Sequence, residues 1–179
     1  MNFEIERKFL IRGDDWRGLV TARSDIRQAY LEANAKASIR VRIKNNSAAT
    51  LTIKSRASAL RRLELEYPIP IVHAEALIQL RQGIVIEKVR HIVPCGSLSW
   101  EIDVFMGDNH GLVIAEIELP NEHHPVELPS WIGTEVTGQG HYYNGPWPCV
   151  RFRFGIIERV TPAPIGTAMR PALSDKLSP

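Results

Sequence analysis

The chain has 179 residues, 44% of them hydrophobic and 23% charged, with a formal net charge of +2. That is enough for one well-buried domain and too little for two, and so small a net charge supplies no overall field to draw nucleic acid or a membrane. Cys95 and Cys149 lack metal-finger spacing and read as free thiols; with no leader pattern and no apolar run of spanning length, a cytoplasmic protein is expected.

Phe3–Ile11 reads as a strand. Side chains alternate along it, so Glu4, Glu6 and Lys8 share one face and Phe3, Ile5, Arg7 and Phe9 the other. Residues 26–31 read as a second strand. Ala37–Lys44 alternates Ile39, Val41 and Ile43 with Arg40, Arg42 and Lys44; Asn45-Asn46-Ser47 is turn material, and 50–55 completes a hairpin carrying Thr52 and Lys54. Arg61–Ile69 is a strand with Glu64 and Glu66 on one face. Residues 73–82 carry apolar side chains at helical spacing, and Gly83 is placed to end that helix. Three further strands follow: 84–93 with Lys88 and Arg90, 97–105 with Glu101 and Asp103, and 112–119 with Glu116 and Glu118. Residues 151–159 suit a strand or a short helix, and the proline-containing stretch beyond is expected to be poorly ordered. Trp16, Trp100 and Trp131 read as packing residues, and His123-His124 as a loop pair without a metal. Lys44 and Arg56, near strand ends, are either mouth residues that attract anions or solvated charges.

One device recurs. Paired charges at i and i+2 occur in strand after strand, each pair of one sign, with mostly aliphatic or aromatic residues between. A sheet with one wet face would mix Ser, Thr, Asn and Gln into that face. Strands this ionic, closed into a barrel, would line a lumen with carboxylates and cations. Buried like charges are costly without partners. A polyphosphate would neutralise the basic strands and a divalent metal the acidic ones. The outward apolar face would then need cover from helices or a second subunit.

These residues also carry a family resemblance. Glu4-Ile5-Glu6-Arg7-Lys8 resembles the ExExK motif of the CYTH superfamily, the triphosphate tunnel metalloenzymes. Arg40-Val41-Arg42, Leu51-Thr52-Ile53-Lys54, Glu64-Leu65-Glu66, Glu87-Lys88-Val89-Arg90, Trp100-Glu101-Ile102-Asp103, Ala115-Glu116-Ile117-Glu118, Glu135-Val136-Thr137 and Tyr142-Tyr143-Asn144 follow in the matching order. The likeness is strongest to the short bacterial members, which are similar to inorganic triphosphatases. It implies a mainly β, α+β fold: an eight-stranded antiparallel barrel over residues 1–145, with a few flanking helices, often homodimeric. Residues 146–179 are then a divergent, partly disordered segment.

The resemblance implies hydrolysis of a triphosphate, with inorganic tripolyphosphate leading, and Mg²⁺ or Mn²⁺ as cofactor. Glu4, Glu6, Glu116, Glu118 and Asp103 match metal-binding positions, with Glu64, Glu66 and Glu101 as supporting acids. Lys8, Arg40, Arg42, Lys54, Lys88 and Arg90 match the triphosphate-gripping cations. Tyr30 matches a tyrosine that some members pair with the residue at Lys88, a pair suited to activating a nucleophile. Activity rising toward alkaline pH is expected if either group must lose a proton. Ala29, His91, Gln139 and His141 depart from the usual pattern, as does Gly145-Pro146-Trp147-Pro148 where a helix is usual. Nucleoside or thiamine triphosphatase, adenylate cyclase and a non-catalytic polyphosphate-binding module are the alternatives. No nucleic-acid or membrane partner is expected.

Overall fold

The computed structural model describes residues 3–33, 36–55, 61–139, 142, 150–153 and 156–159. Arg56, His141, Tyr143, Asn144, Cys149 and the stretch after Arg159 lie outside the described residues.

Eight strands form the body: β1 (Phe3–Ile11), β2 (Ala22–Ala33), β3 (Ala37–Lys44), β4 (Ala48–Ser55), β5 (Arg61–Ile69), β6 (Gln82–Cys95), β7 (Leu98–Phe105) and β8 (Val113–Glu118). All pair antiparallel, in the order β5-β4-β3-β2-β6-β7-β8-β1. β5 then meets β1 through Phe3↔Leu63, Glu4↔Arg62 and Ile5↔Arg61, which returns the order to its start and makes a barrel. A short β9 (Ile132–Glu135) adds to β1 from outside the ring. β10 (Val150–Arg153) and β11 (Ile156–Arg159) make a separate hairpin, with β10 beside the turn at residues 107–109.

Local sequence sets the turns. Asn45 and Asn46 both take positive φ, 52° and 50°, and link β3 to β4; asparagine tolerates this left-handed backbone. Gly96, at φ 59°, links β6 to β7 so that Cys95 faces Leu98. The helix differs from its expected place. α1 spans Ile71–Gln79, entered from Pro70, and ends before Gly83. Gly83 instead lies inside β6 at φ 77°, where the β2–β6 register shifts between Tyr30↔Gln82 and Gln28↔Ile86. A glycine with positive φ serves a strand irregularity as readily as a helix end.

The barrel's outward face is covered from within the chain. α1 lays Ala74 and Ile78 over Ala29, Val41, Ile43 and Ala49. On another flank, Trp16 from the short 3₁₀ turn at residues 15–19 and Trp131 pack with Phe9, Val93, Trp100, Ile102 and Ile117. Trp100 meets the rings of Phe9 and Trp131 edge to face, at 5.5 and 5.7 Å between centroids. Each valine, isoleucine or phenylalanine so buried contributes about 1.5–3 kcal/mol of transfer energy. The tryptophans are packing residues, as expected. Among the described residues no helix is long and apolar enough to cross a membrane.

Candidate active site

Alternation along the strands turns Glu4, Glu6 and Lys8 of β1 inward, with Arg40 and Arg42 of β3, Lys54 of β4, Glu64 and Glu66 of β5, Lys88 and Arg90 of β6, Glu101 and Asp103 of β7, and Glu116 and Glu118 of β8. All the paired-charge positions therefore share one lumen. Register decides which of them meet.

On one wall, β1, β8, β7 and β6 place Lys8 opposite Glu116, Glu116 opposite Glu101, and Asp103 opposite Arg90. Lys8 Nζ donates to Glu116 and lies 3.1 Å from Glu6. Arg90 grips Asp103 with two bonds, Nε to Oδ1 at 2.8 Å and Nη2 to Oδ2 at 2.7 Å, and also reaches Glu116 (3.1 Å) and Glu101. Lys88 donates to Asp103, and both side chains are fully buried. Burial pushes the Asp103 and Glu116 carboxyls up, but neighbouring cations outweigh it and hold both below the usual range. Burial opposes the Lys8 ammonium too, yet Glu116 and Glu6 hold it above its usual value.

On the other wall, Lys54 Nζ lies 2.5 Å from Glu4 and 3.2 Å from Glu64. Arg40 donates to Thr52 at 3.2 Å and stands farther from Glu66 and Glu64, at 3.6 and 3.8 Å. Burial pushes the Glu4 carboxyl up, but Lys54 outweighs it and holds it below the usual range. Burial, aided by Glu4, pushes the Glu64 carboxyl up to about 7 despite Lys54.

Arg42 stands apart from the other lumen cations. Among the described residues it makes no ion pair; its Nε donates to the oxygen of Gln28 at 3.2 Å. Burial, then repulsion from Arg40 and Arg90, push its guanidinium down to about 10. Burial and Arg90 likewise push Lys88 down to about 8, against the pull of Asp103.

The two ends of the lumen differ. Two residues beyond the charges, the same faces carry Leu10, Phe105, Ile114 and Ile86, and these pack together with Tyr30, Ile84, Leu112 and Tyr142. Lys88 Nζ lies 5.4 Å from the Phe105 ring, against this apolar floor. At the opposite mouth Glu66 and Glu101 are 47% and 40% exposed, so charge is buried at the floor and wet at the mouth. Tyr30 sits with the floor residues and opposite Arg40; among the described residues it shares no hydrogen bond with Lys88, whose ammonium turns to Asp103. The floor and Gln28 are the lumen features not read from the sequence, while Thr52 shares the face of Lys54 as the alternation of β4 implies. Continuing the alternation two residues past each charged pair was the signal for the floor.

Among the described residues no three His, Cys, Asp or Glu form a ready metal cradle, because most carboxylates are engaged by cations. Glu118 is different. Burial and the nearby charges of Glu4, Glu101 and Glu6 push its carboxyl up, and among the described residues it makes no ion pair. Crowded acids at Glu4, Glu6, Glu64 and Glu118, with Glu4 and Glu64 sharing the Lys54 ammonium, have the donor chemistry that a hard divalent cation fits.

Residues 2–143 match the CYTH domain model. The chain belongs to the CYTH family. It is 42% identical over 145 residues to the inorganic triphosphatase of Acetivibrio thermocellus, covering 80% of this chain and 92% of that one. Its fold is similar to the crystal structure of the inorganic triphosphatase NE1496, at 30% identity and a TM-score of 0.59, over 79% of this chain and 94% of that one. It is also similar in fold to the PH1012 protein of Pyrococcus horikoshii, at 23% identity and a TM-score of 0.53, over 66% and 79% of the two chains.

Two departures from the CYTH pattern fall outside the lumen. His91 faces outward on β6 and meets Trp16 edge to face at 5.2 Å. Gln139 donates to the Glu135 backbone oxygen. Arg7, also outward, holds Glu135 with two bonds at 2.9 and 2.6 Å.

Proposed function

We propose that this protein is a divalent-metal-dependent triphosphatase acting on inorganic tripolyphosphate. The observation that carries the reading is Arg42: a half-buried guanidinium with no carboxylate partner among the described residues, in a lumen with five other cations. A charge so placed is costly until an anion arrives. The names of the Acetivibrio thermocellus relative and of NE1496 support a triphosphate as that anion.

In this reading Arg40, Arg42, Lys54, Lys8, Lys88 and Arg90 hold successive phosphate groups and offset charge on the transferring phosphoryl group. Arg90 is held rigidly by Asp103 and Glu116, so it is oriented before substrate arrives. The apolar floor keeps water from the inner end. Lys88, with its proton loosened by burial, and Tyr30 are the candidate groups for handling a proton at the attacking water. Glu4, Glu6, Glu116, Glu118 and Asp103 are the candidate ligands of Mg²⁺ or Mn²⁺, with Glu64, Glu66 and Glu101 supporting. When bound, such a cation supplies positive charge to phosphate oxygens and to the attacking oxygen.

Residues 1–145 are proposed as the catalytic unit. Association as a homodimer is supported by Leu65 and Tyr67 on the outer face of β5, 39% and 48% exposed. Sedimentation of the full chain tests it, and a monomer at micromolar concentration refutes it.

The deciding experiment is phosphate release from tripolyphosphate, ATP and thiamine triphosphate, with Mg²⁺ and Mn²⁺ compared and a chelator as control. Tripolyphosphate turnover that stops on chelation and returns with metal is expected. Glu4→Gln and Lys8→Ala are each expected to be impaired. Tight tripolyphosphate binding without turnover under either metal would leave a binding module instead.

A further inference from the structure

Gln28 is fully buried on β2, on the lumen side between Arg42 of β3 and Ile86 of β6. Arg42 Nε donates to its side-chain oxygen; a guanidinium can only donate, so the atom facing it is the amide oxygen and the amide nitrogen is left to find another partner. That nitrogen is buried and has no partner. A buried donor without an acceptor is costly, and native structures rarely keep one idle. An ordinary core position would carry an apolar side chain here. A glutamate would pair with Arg42 as Asp103 pairs with Arg90, and would discharge the guanidinium. Only the amide holds Arg42 in place, leaves its charge available, and offers a second donor beside it.

We infer that Gln28 is a substrate-binding residue: its amide nitrogen donates to a phosphate oxygen at the inner end of the lumen while its oxygen positions Arg42 for the same phosphate. The inference rests on the triphosphatase reading above for the identity of the anion. It adds a neutral donor to the charged set that the sequence pattern displays.

The test uses the full chain with Gln28→Glu and Gln28→Met, measuring tripolyphosphate kinetics, tripolyphosphate binding by calorimetry, and melting temperature without ligand. Gln28→Glu is expected to raise KM by about tenfold or more, because it neutralises Arg42 and adds a negative charge, yet to melt no lower than the parent. Gln28→Met is expected to raise KM about three- to tenfold, with kcat changed less, for loss of one donor and of Arg42's tether. KM within about twofold of the parent in both variants overturns the inference. So does a lowered melting temperature of Gln28→Glu with KM unchanged, which marks a purely structural glutamine. If the parent binds tripolyphosphate without hydrolysing it and both variants bind it more weakly, the triphosphatase reading fails and the role of Gln28 stands. If the parent turns over and the variants match it, only the role of Gln28 fails.

Discussion

Replacing Arg42 with methionine is expected to make the unliganded protein more stable and a worse binder of triphosphate. Burial and the neighbouring arginines push the guanidinium from the usual 12.5 down to about 10, the sign of a charge that is costly to keep inside the barrel. That difference corresponds to about 3 kcal/mol, all of it present at neutral pH because Arg42 stays protonated both folded and unfolded. Methionine removes this cost and keeps much of the side chain's apolar length. The lost bond to Gln28 offsets about 1 kcal/mol. The net gain is then about 2 kcal/mol, or about 4–8 °C in melting temperature for a domain of this size. Substrate binding moves the other way: a lost charge-assisted hydrogen bond costs about 1.5–3 kcal/mol, a rise in KM of about 10- to 150-fold. Thermal unfolding without ligand, paired with phosphate release from tripolyphosphate, reads both signs. Arg90→Met is the control, because it strips one of the two cations from Asp103, leaving only Lys88, and is expected to destabilise. If Arg42→Met melts below the parent, Arg42 is already satisfied in the unliganded barrel and the reasoning fails.

Asp103→Asn is expected to lower the melting temperature by about 10 °C, since it leaves Lys88 and Arg90 buried without their shared counter-charge; calorimetric unfolding checks it, and no change would show the pair to be dispensable. Glu118→Gln is expected to leave thermal stability unchanged or slightly higher, because it relieves repulsion from Glu4, Glu101 and Glu6, while weakening Mn²⁺ binding; a Mn²⁺ titration that matches the parent removes Glu118 from the metal set. For Lys88 the folded value of about 8 lies below its ordinary 10.5, so the unfolded chain binds more protons between those pH values. Stability is therefore expected to rise over that window, and kcat/KM to climb as pH passes about 8 and then level off. A flat kcat/KM from neutral to alkaline pH removes Lys88 as the proton-handling group.

The barrel and its lumen face were legible because period-two alternation needs no long-range information. Glu4, Glu6 and Lys8 had to share a face whatever β1 paired with. Contacts within one hairpin were nearly as accessible. The short turn at Gly96 puts Cys95 opposite Leu98, and counting back places Arg90 opposite Asp103. The pairing of Lys8 with Glu116 was not accessible, because it joins strands more than a hundred residues apart whose register no local turn sets. Gly83 was misread for a related reason: positive φ is a local property, and only the β2–β6 pairing shows that a strand irregularity uses it.

The same distinction explains why the apparently equivalent lumen cations are not equivalent. The Asn45-Asn46 turn sets Arg40 opposite Thr52 and Arg42 opposite Thr50, so β4 offers Arg42 no acid. On its other side β2 offers Gln28, an amide. Arg90 occupies the corresponding place on β6, but its hairpin partner β7 carries Glu101 and Asp103, and it is neutralised. Two arginines with the same spacing signature thus end in opposite electrostatic states. One is already held by acids and can act only by being well placed. The other is kept charged and unspent, and the neutral residues beside it, rather than the charged ones that the motif displays, are what leave it waiting for an anion.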